Sequence, residues 1–279
     1  MNVRFFCGGP IKSGTTFLQR LLDSHPSITC YSEQYFNFLL KDLMAVHKRY
    51  NDVLFDVANL IGVQPNLMKQ EAFLEGFYKI VESFFDLQSE KKIIGINDND
   101  FIIHNAEPIL KNIKNSKIIY ILRNPIDTSL STWDHYQSLY IRKNNKQFLE
   151  KLAIDGELNK EKFIIKRSRE LGILASKILN NAKTFSTKVL VIKYEELTNN
   201  KENTIKKITN FLGADSSAKV LEELITNTSF EFMKKNSTNP SFYKKGRINA
   251  GHSEISQKVF HQAMLEASDL GEIYSNNII

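Results

Sequence analysis

Apolar residues in this chain fall into two rhythms. In Val3 to Cys7, Lys92 to Ile96, Lys117 to Leu122 and Lys188 to Lys193 they form short, nearly unbroken, β-branched runs, as in strands covered on both faces of a parallel sheet. Ser27 to Cys30 is a weaker fifth run. Between the runs, apolar positions recur every three or four residues over Thr15 to Ser24, from about Tyr35 to Leu87, and over Ala106 to Ile113, Ile126 to Tyr140 and Phe163 to Ala182. That is the period of helices with one buried stripe. Strand and helix in alternation predict an α/β fold, a three-layer open parallel β-sheet flanked by helices, with ligands bound outside the carboxyl ends of the strands. Asn124 and Pro125 read as the N-cap and first residue of a helix. From Asn236 to Ser256, Gly, Pro, Ser, Asn and Lys occur without period, which predicts a long loop of the kind that serves as a lid.

The chain has 279 residues, 42% of them apolar, enough to bury a full core, and no linker-like stretch divides it. It reads as one domain, 1–279, with a helical insert at about 35–91 and the lid at about 236–256. The insert is rich in aromatic residues, among them Tyr35, Phe36, Phe38, Tyr50 and Phe55, and helical spacing assigns most of them to the core. Thirty-seven basic against 31 acidic residues leave a net charge of +6. This excess is below that of a nucleic-acid-binding composition and fits a solvated lysine surface or a small polyanionic ligand. Cys7 and Cys30 each close a buried run and are expected as thiols rather than as a disulfide framework. Met1 to Cys7 lacks the apolar region of a signal peptide, and no run approaches the roughly 18 apolar residues that cross a bilayer. The expected location is cytoplasmic, without a membrane span.

Candidate chemistry begins at Gly8-Gly9-Pro10-Ile11-Lys12-Ser13-Gly14-Thr15-Thr16-Phe17-Leu18, which follows a strand and opens an amphipathic helix. Strand, glycine turn and helix make an anion site: backbone N–H groups from Ser13 to Thr16 and the positive helix end face the ligand. Hydroxyls of Ser13, Thr15 and Thr16 add donors, and Lys12 adds a full charge. A nucleoside-triphosphate loop would read G-x-x-x-x-G-K-S/T. Here Gly9 and Gly14 keep the glycine spacing, but Thr15 stands where the lysine belongs.

The loop resembles that of sulfotransferases that use 3′-phosphoadenosine 5′-phosphosulfate, P-K-S-G-T-T-W/F-L, with one residue inserted between Pro10 and Lys12. Further stretches follow in the family's order over nearly the whole chain. Arg123-Asn124-Pro125, with Ser131 eight residues after the arginine, is similar to the family's 3′-phosphate site, where a guanidinium forks onto the phosphate. Tyr194-Glu195-Glu196-Leu197 resembles the strand end whose tyrosine lies by the nucleotide. Thr228-Ser229-Phe230, running on to Met233-Lys234, resembles the family's segment beside the adenine, with Phe230 able to stack on a purine. Lys244-Lys245-Gly246-Arg247-Ile248-Asn249-Ala250-Gly251 resembles the lid motif R-K-G-x-x-G-D-W in its first half only; Asn249 replaces the second glycine and Gly251 the tryptophan. The resemblance implies the P-loop NTPase-like sulfotransferase fold and sulfuryl transfer to an acceptor hydroxyl, with 3′,5′-bisphosphoadenosine as product. The phosphosulfate donor would be held by Lys12, Ser13, Gly14, Thr15, Thr16, Arg123, Ser131, Tyr194, Thr228, Phe230, Lys244, Lys245 and Gly246.

Such transfer is in-line displacement, with Lys12 on the oxygen that gains charge and no metal required. The acceptor hydroxyl needs a base, and two solutions exist in the family. The histidine of a K-T-H context is missing from Ile94-Gly95-Ile96-Asn97-Asp98. A glutamate shortly after the first helix is matched by Glu33, with Asp98, His104 and His252 as alternatives. Aromatic residues near Tyr35 are expected to line the acceptor site, for a glycan or another small hydroxyl compound. A phosphate-transferring kinase and a non-catalytic adenine-nucleotide binder are the competing readings.

Overall fold

The computed structural model describes residues 3–86, 91–235, 248–249 and 251–275, without the side chains of Phe230, His252 and Ser275. The chain opens with β1 (Val3–Gly8), α1 (Thr15–Asp23), β2 (Ile28–Tyr31), α2 (Phe36–Ile61), α3 (Gln70–Ser83), β3 (Ile93–Asn97) and α4 (Asn99–Asn112). It continues through β4 (Ser116–Leu122), α5 (Pro125–Lys143), α6 (Gln147–Glu150), the two-residue strands β5 (Ala153–Ile154) and β6 (Glu157–Leu158), α7 (Lys160–Thr184) and β7 (Val189–Lys193). Helices α8 (Tyr194–Asn199), α9 (Lys201–Leu212), α10 (Ala218–Asn227), α11 (Phe230–Lys235), α12 (Gly251–Glu254), α13 (Gln257–Glu266) and α14 (Ser268–Ser275) complete it.

Five strands form one parallel sheet in the order β2-β3-β1-β4-β7. The near-continuous apolar runs follow from burial on both faces, since successive side chains in a strand point to opposite sides. Phe5, Cys7, Ile119 and Ile121 face α1, α9 and α10 through Leu18, Leu21, Ile208 and Leu224. Phe6, Ile118, Tyr120 and Leu122 face the other way, onto Phe101, Ile126, Leu130 and Ile164 of α4, α5 and α7. The helix after β1 therefore covers one face, and those after its neighbours β3 and β4 cover the other. That divergence opens a crevice at the carboxyl end of β1, the position where open α/β sheets bind ligands.

Several boundaries differ from those expected. The helical region from Tyr35 is two helices, because α2 ends at Ile61, capped by Gly62, and residues 63–69 form no regular element. The helix expected from Ala106 is the second half of α4, which starts at Asn99 and kinks at Asn105 ahead of Pro108, a residue that removes one helical N–H. The insert's aromatics divide: Phe36, Phe77 and Tyr78 are core, whereas Phe38, Tyr50 and Phe55 are exposed. Cys7 and Cys30 are buried free thiols with their sulfurs 3.6 Å apart. Among the described residues no helix is long and apolar enough to cross a membrane.

Candidate active site

The loop after β1 is built from inside outward. The Ser13 N–H donates to the Pro10 carbonyl (3.0 Å), closing a turn. The Ser13 hydroxyl donates to the Ile121 carbonyl on β4 (3.1 Å). Both Ser13 protons thus hold the loop down, and the groups presented outward come from its neighbours. Gly14, with φ of 102°, is the N-cap of α1 and no side chain caps the helix. The first N–H groups of α1 have no acceptor within the helix and point out of its positive end. Lys12 also sits at positive φ (72°), in the left-handed region, within the turn that leads into the helix.

Two other strand ends close on this loop. Arg123, one residue past β4, donates from Nη1 to the Lys12 carbonyl (3.3 Å). Its guanidinium carbon lies 4.7 Å from the ring centre of Tyr194, the first residue past β7, a cation–π distance. Tyr194 in turn packs on Gly14, where an added Cβ would come within 2.4 Å of the tyrosine ring. Burial pushes the Tyr194 phenol above its ordinary range, opposed by the Arg123 charge. Loop, arginine and tyrosine, expected from separate motifs, thus meet at one point.

The contacts extend toward Thr228. The Phe17 and Tyr194 rings meet edge to face at 6.4 Å, and the Lys201 ammonium lies 5.6 Å from the centre of Phe17. Lys201 then donates to the carbonyl of Thr228 (2.9 Å). Thr228 is buried, its hydroxyl donating to the Leu224 carbonyl at the end of α10. Ser131 is half-buried two turns into α5. Lys244, Lys245 and Gly246, and the side chains of Phe230 and His252, lie outside the described residues.

On the opposite side of the loop, a bridge absent from the sequence reading appears. The Gly9 N–H donates to Asn99 Oδ1 (3.3 Å), and Asn99 Nδ2 donates to Glu33 Oε1. One amide therefore ties the phosphate loop to the candidate base. Glu33 also hydrogen-bonds Tyr35, and its negative charge pushes that phenol up. Tyr35 and Phe38 form an exposed aromatic pair with ring centres 6.0 Å apart. Asp98, by contrast, has both oxygens engaged by backbone: Oδ2 accepts from Phe36 N–H (2.9 Å) and Oδ1 from Phe101 N–H (3.4 Å). Burial pushes its carboxyl up to about 6, against the pull of those two bonds. His104 is exposed on α4 beside Asp100 (3.5 Å). Among the described residues no group of three or more His, Cys, Asp or Glu is placed to hold a metal ion.

The sulfotransferase domain model matches residues 4–268. The chain belongs to the sulfotransferase domain family. A membrane-associated sulfotransferase, kil1, of Dictyostelium discoideum is 30% identical over 149 residues, 52% of this chain and 25% of that protein. Sulfotransferase 2A6 of Mus musculus is 31% identical over 144 residues, 49% of this chain and 45% of that protein. The matched segment thus spans between a quarter and a half of these relatives. In fold, this sulfotransferase domain is similar to mouse sulfotransferase SULT7A1 complexed with PAP, with a TM-score of 0.61, 20% identity and coverage of 99% and 87% of the two chains. A retinol dehydratase complex with androsterone and PAP follows, with a TM-score of 0.53, 15% identity and coverage of 96% and 80%.

Two positions at which the sequence departs from the lid motif it resembles lie among the described residues. Asn249, in place of glycine, sits at φ of 63°, the left-handed region that asparagine tolerates better than other side chains. Gly251, in place of tryptophan, lies against α5, where a Cβ would come within 2.6 Å of the Ile126 side chain. Both residues are latched by Asp127, buried in the first turn of α5. Its Oδ2 accepts from Asn249 N–H (2.8 Å) and its Oδ1 from Gly251 N–H (3.2 Å).

Proposed function

We propose that this domain transfers the sulfuryl group of 3′-phosphoadenosine 5′-phosphosulfate to an acceptor hydroxyl, releasing 3′,5′-bisphosphoadenosine. The observation that carries the reading is the meeting of the Lys12–Gly14 loop, Arg123 and Tyr194 at the end of the central strand. The amides of Gly14, Thr15 and Thr16 bind the 5′-phosphosulfate, with the threonine hydroxyls in support and Ser13 fixing the loop. Lys12 neutralises the bridging oxygen as its bond to sulfur breaks. Arg123, Ser131, Lys244, Lys245 and Gly246 hold the 3′-phosphate. Tyr194, Thr228 and Phe230 border the nucleoside.

Glu33 takes the acceptor proton as the new oxygen–sulfur bond forms. Its position supports this role over Asp98, whose two oxygens are engaged by backbone N–H groups, and over His104, paired with Asp100 on an exposed helix face. The Tyr35 and Phe38 rings beside Glu33 offer a stacking surface for an acceptor with a sugar or apolar ring, a glycan or another small hydroxyl compound. The sulfuryl group carries less charge than a phosphoryl group, so Lys12 and the helix end suffice and turnover is expected to survive chelation of divalent cations.

Thermal unfolding with 3′,5′-bisphosphoadenosine tests the donor site. At about a hundred times its dissociation constant the bisphosphate adds roughly 2.7 kcal/mol, a shift of about 5 °C or more, and Arg123→Ala is expected to abolish it. A shift with ATP and magnesium alone would instead sink this reading and raise the kinase in its place. Glu33→Gln is expected to bind the bisphosphate normally but to lose at least about a hundred-fold in turnover; near wild-type turnover would remove Glu33 from the mechanism.

A further inference from the structure

Helix α2 runs 26 residues, yet only Phe36, His47 and Ala58 are buried along it. Its apolar residues do not all face the core. Leu39, Leu43, Val46, Tyr50, Val53, Val57 and Leu60 follow one another at alternating intervals of four and three, the spacing of a coiled-coil seam. Leu39 and Leu43 seat the first turns against the protein's own core. From there the stripe leaves the protein: Val46 is 48% exposed, Tyr50 49%, Val53 56%, Val57 50% and Leu60 86%. The core-facing stripe is a separate one, in which His47 stacks on Phe73 of α3 at 4.9 Å and Ala58 is buried. A run of exposed aliphatic side chains this regular marks an interaction surface. It begins about 16 Å along the helix from Tyr35, at 1.5 Å per residue, so it is distinct from the proposed acceptor side.

We propose that this seam pairs with the same seam of a second copy of the chain, the two α2 helices running antiparallel about a two-fold axis between Tyr50 and Val53. In that register every seam position from Leu43 to Leu60 meets an apolar partner. Leu43 lies opposite the second copy's Leu60, Val46 opposite its Val57, and Tyr50 opposite its Val53, each pair occurring twice by symmetry. The charges agree. Arg49 and Asp56 occupy the same flank of the seam, one heptad apart, and the two-fold sets Arg49 of one copy beside Asp56 of the other, twice. A parallel pairing would set Arg49 beside Leu54 of the second copy and lose both ion pairs. A lipid surface fits less well, since the exposed charged residues of α2 are Lys41, Lys48 and Arg49 against Asp42, Asp52 and Asp56, a balanced set rather than the basic face that anionic headgroups select.

Sedimentation equilibrium of the full chain, from about 5 to 200 µM, is the test, because a single-helix seam falls at the small, reversible end of specific interfaces. The wild type is expected to dimerise across this range. Val53→Asp is expected to weaken the dimer at least ten-fold, with unchanged circular dichroism and melting temperature of the monomer. Arg49→Asp and Asp56→Arg should each weaken it several-fold, and the two together should restore it. A wild type that stays monomeric overturns the proposal, as does a dimer indifferent to Val53→Asp, or a double charge exchange that fails to rescue. Flotation of the monomer with anionic vesicles, abolished by Val53→Asp, would replace it with a membrane contact.

Discussion

Asp127 offers the sharpest test of how the lid is held. Its buried carboxylate accepts the N–H groups of Asn249 and Gly251 at 2.8 and 3.2 Å, so the described residues of the expected lid segment are pinned to the first turn of α5. Asp127→Asn is nearly isosteric, but it keeps one acceptor oxygen and turns an NH2 toward the other N–H. Losing one charge-assisted hydrogen bond in a buried setting costs about 1.5–3 kcal/mol. Removing a carboxylate from the first turn of a helix costs about 0.3–1 kcal/mol more. The sum, about 2–4 kcal/mol, can appear in two places. If it unlatches the lid alone, the dissociation constant for 3′,5′-bisphosphoadenosine rises by at least about 30-fold, since each 1.4 kcal/mol is a factor of ten, while melting of the unliganded protein hardly moves. If it destabilises the whole fold, the midpoint falls by roughly 2 °C per kcal/mol or more and the affinity is preserved. Isothermal titration calorimetry and differential scanning calorimetry on the same samples separate the two. We expect the first pattern. A lowered midpoint with unchanged affinity would show that Asp127 serves the core rather than the lid, and no change in either would refute the energetic reasoning outright.

Three more expectations follow from the site. Gly14→Ala places a methyl group at φ of 102° and within 2.4 Å of the Tyr194 ring; bisphosphate affinity, read by calorimetry, should fall at least about ten-fold, since left-handed strain alone is worth roughly 1–2 kcal/mol. Asn99→Ala cuts the link from Gly9 to Glu33 and, once an acceptor is in hand, should lower kcat about a hundred-fold with nucleotide affinity nearly unchanged, whereas loss of both together would mean that Asn99 merely shapes the loop. Asp98, with its carboxyl raised from 3.8 to about 6, binds protons in the folded state that the unfolded chain has released, so its contribution to stability is present below about pH 4 and lost as pH rises through 6. Urea unfolding of wild type and Asp98→Asn at intervals from pH 4 to 7 should show a steeper downward slope in the wild type, the remainder in the variant coming from groups such as Glu195, also raised by burial.

How far the sequence discloses the fold and the site depends on what each residue does. The strands are legible because short, unbroken β-branched runs suit a doubly covered strand and little else, and the Gly9–Leu18 stretch carries glycine, lysine and hydroxyls in an order that chemistry constrains. The break between α2 and α3 is written in Gly62 and Pro65, a C-terminal glycine followed by proline, and the apolar spacing on either side obscures it. Asn99 leaves no signal because a single asparagine after a strand resembles any helix start, and its importance lies in having Gly9 on one side and Glu33 on the other. Asp127 is hidden for the same reason: an acidic residue in a first helical turn is already accounted for by the helix dipole. The exposed stripe of α2 escapes notice because apolar residues at helical spacing point to a core by default, and only the three-dimensional packing shows that two stripes share one helix and just one of them is covered.

The close approach of Gly251 to Ile126 couples the two positions. An indole at position 251 would not fit without movement of α5 or its side chains, because the first atom it adds already meets the isoleucine side chain at 2.6 Å. Ile126 would have to shrink first, and a smaller residue there would leave a gap in the core until the ring arrived. Each change is harmful without the other. Placing a relative's lid on this scaffold would therefore mean changing both positions as one unit.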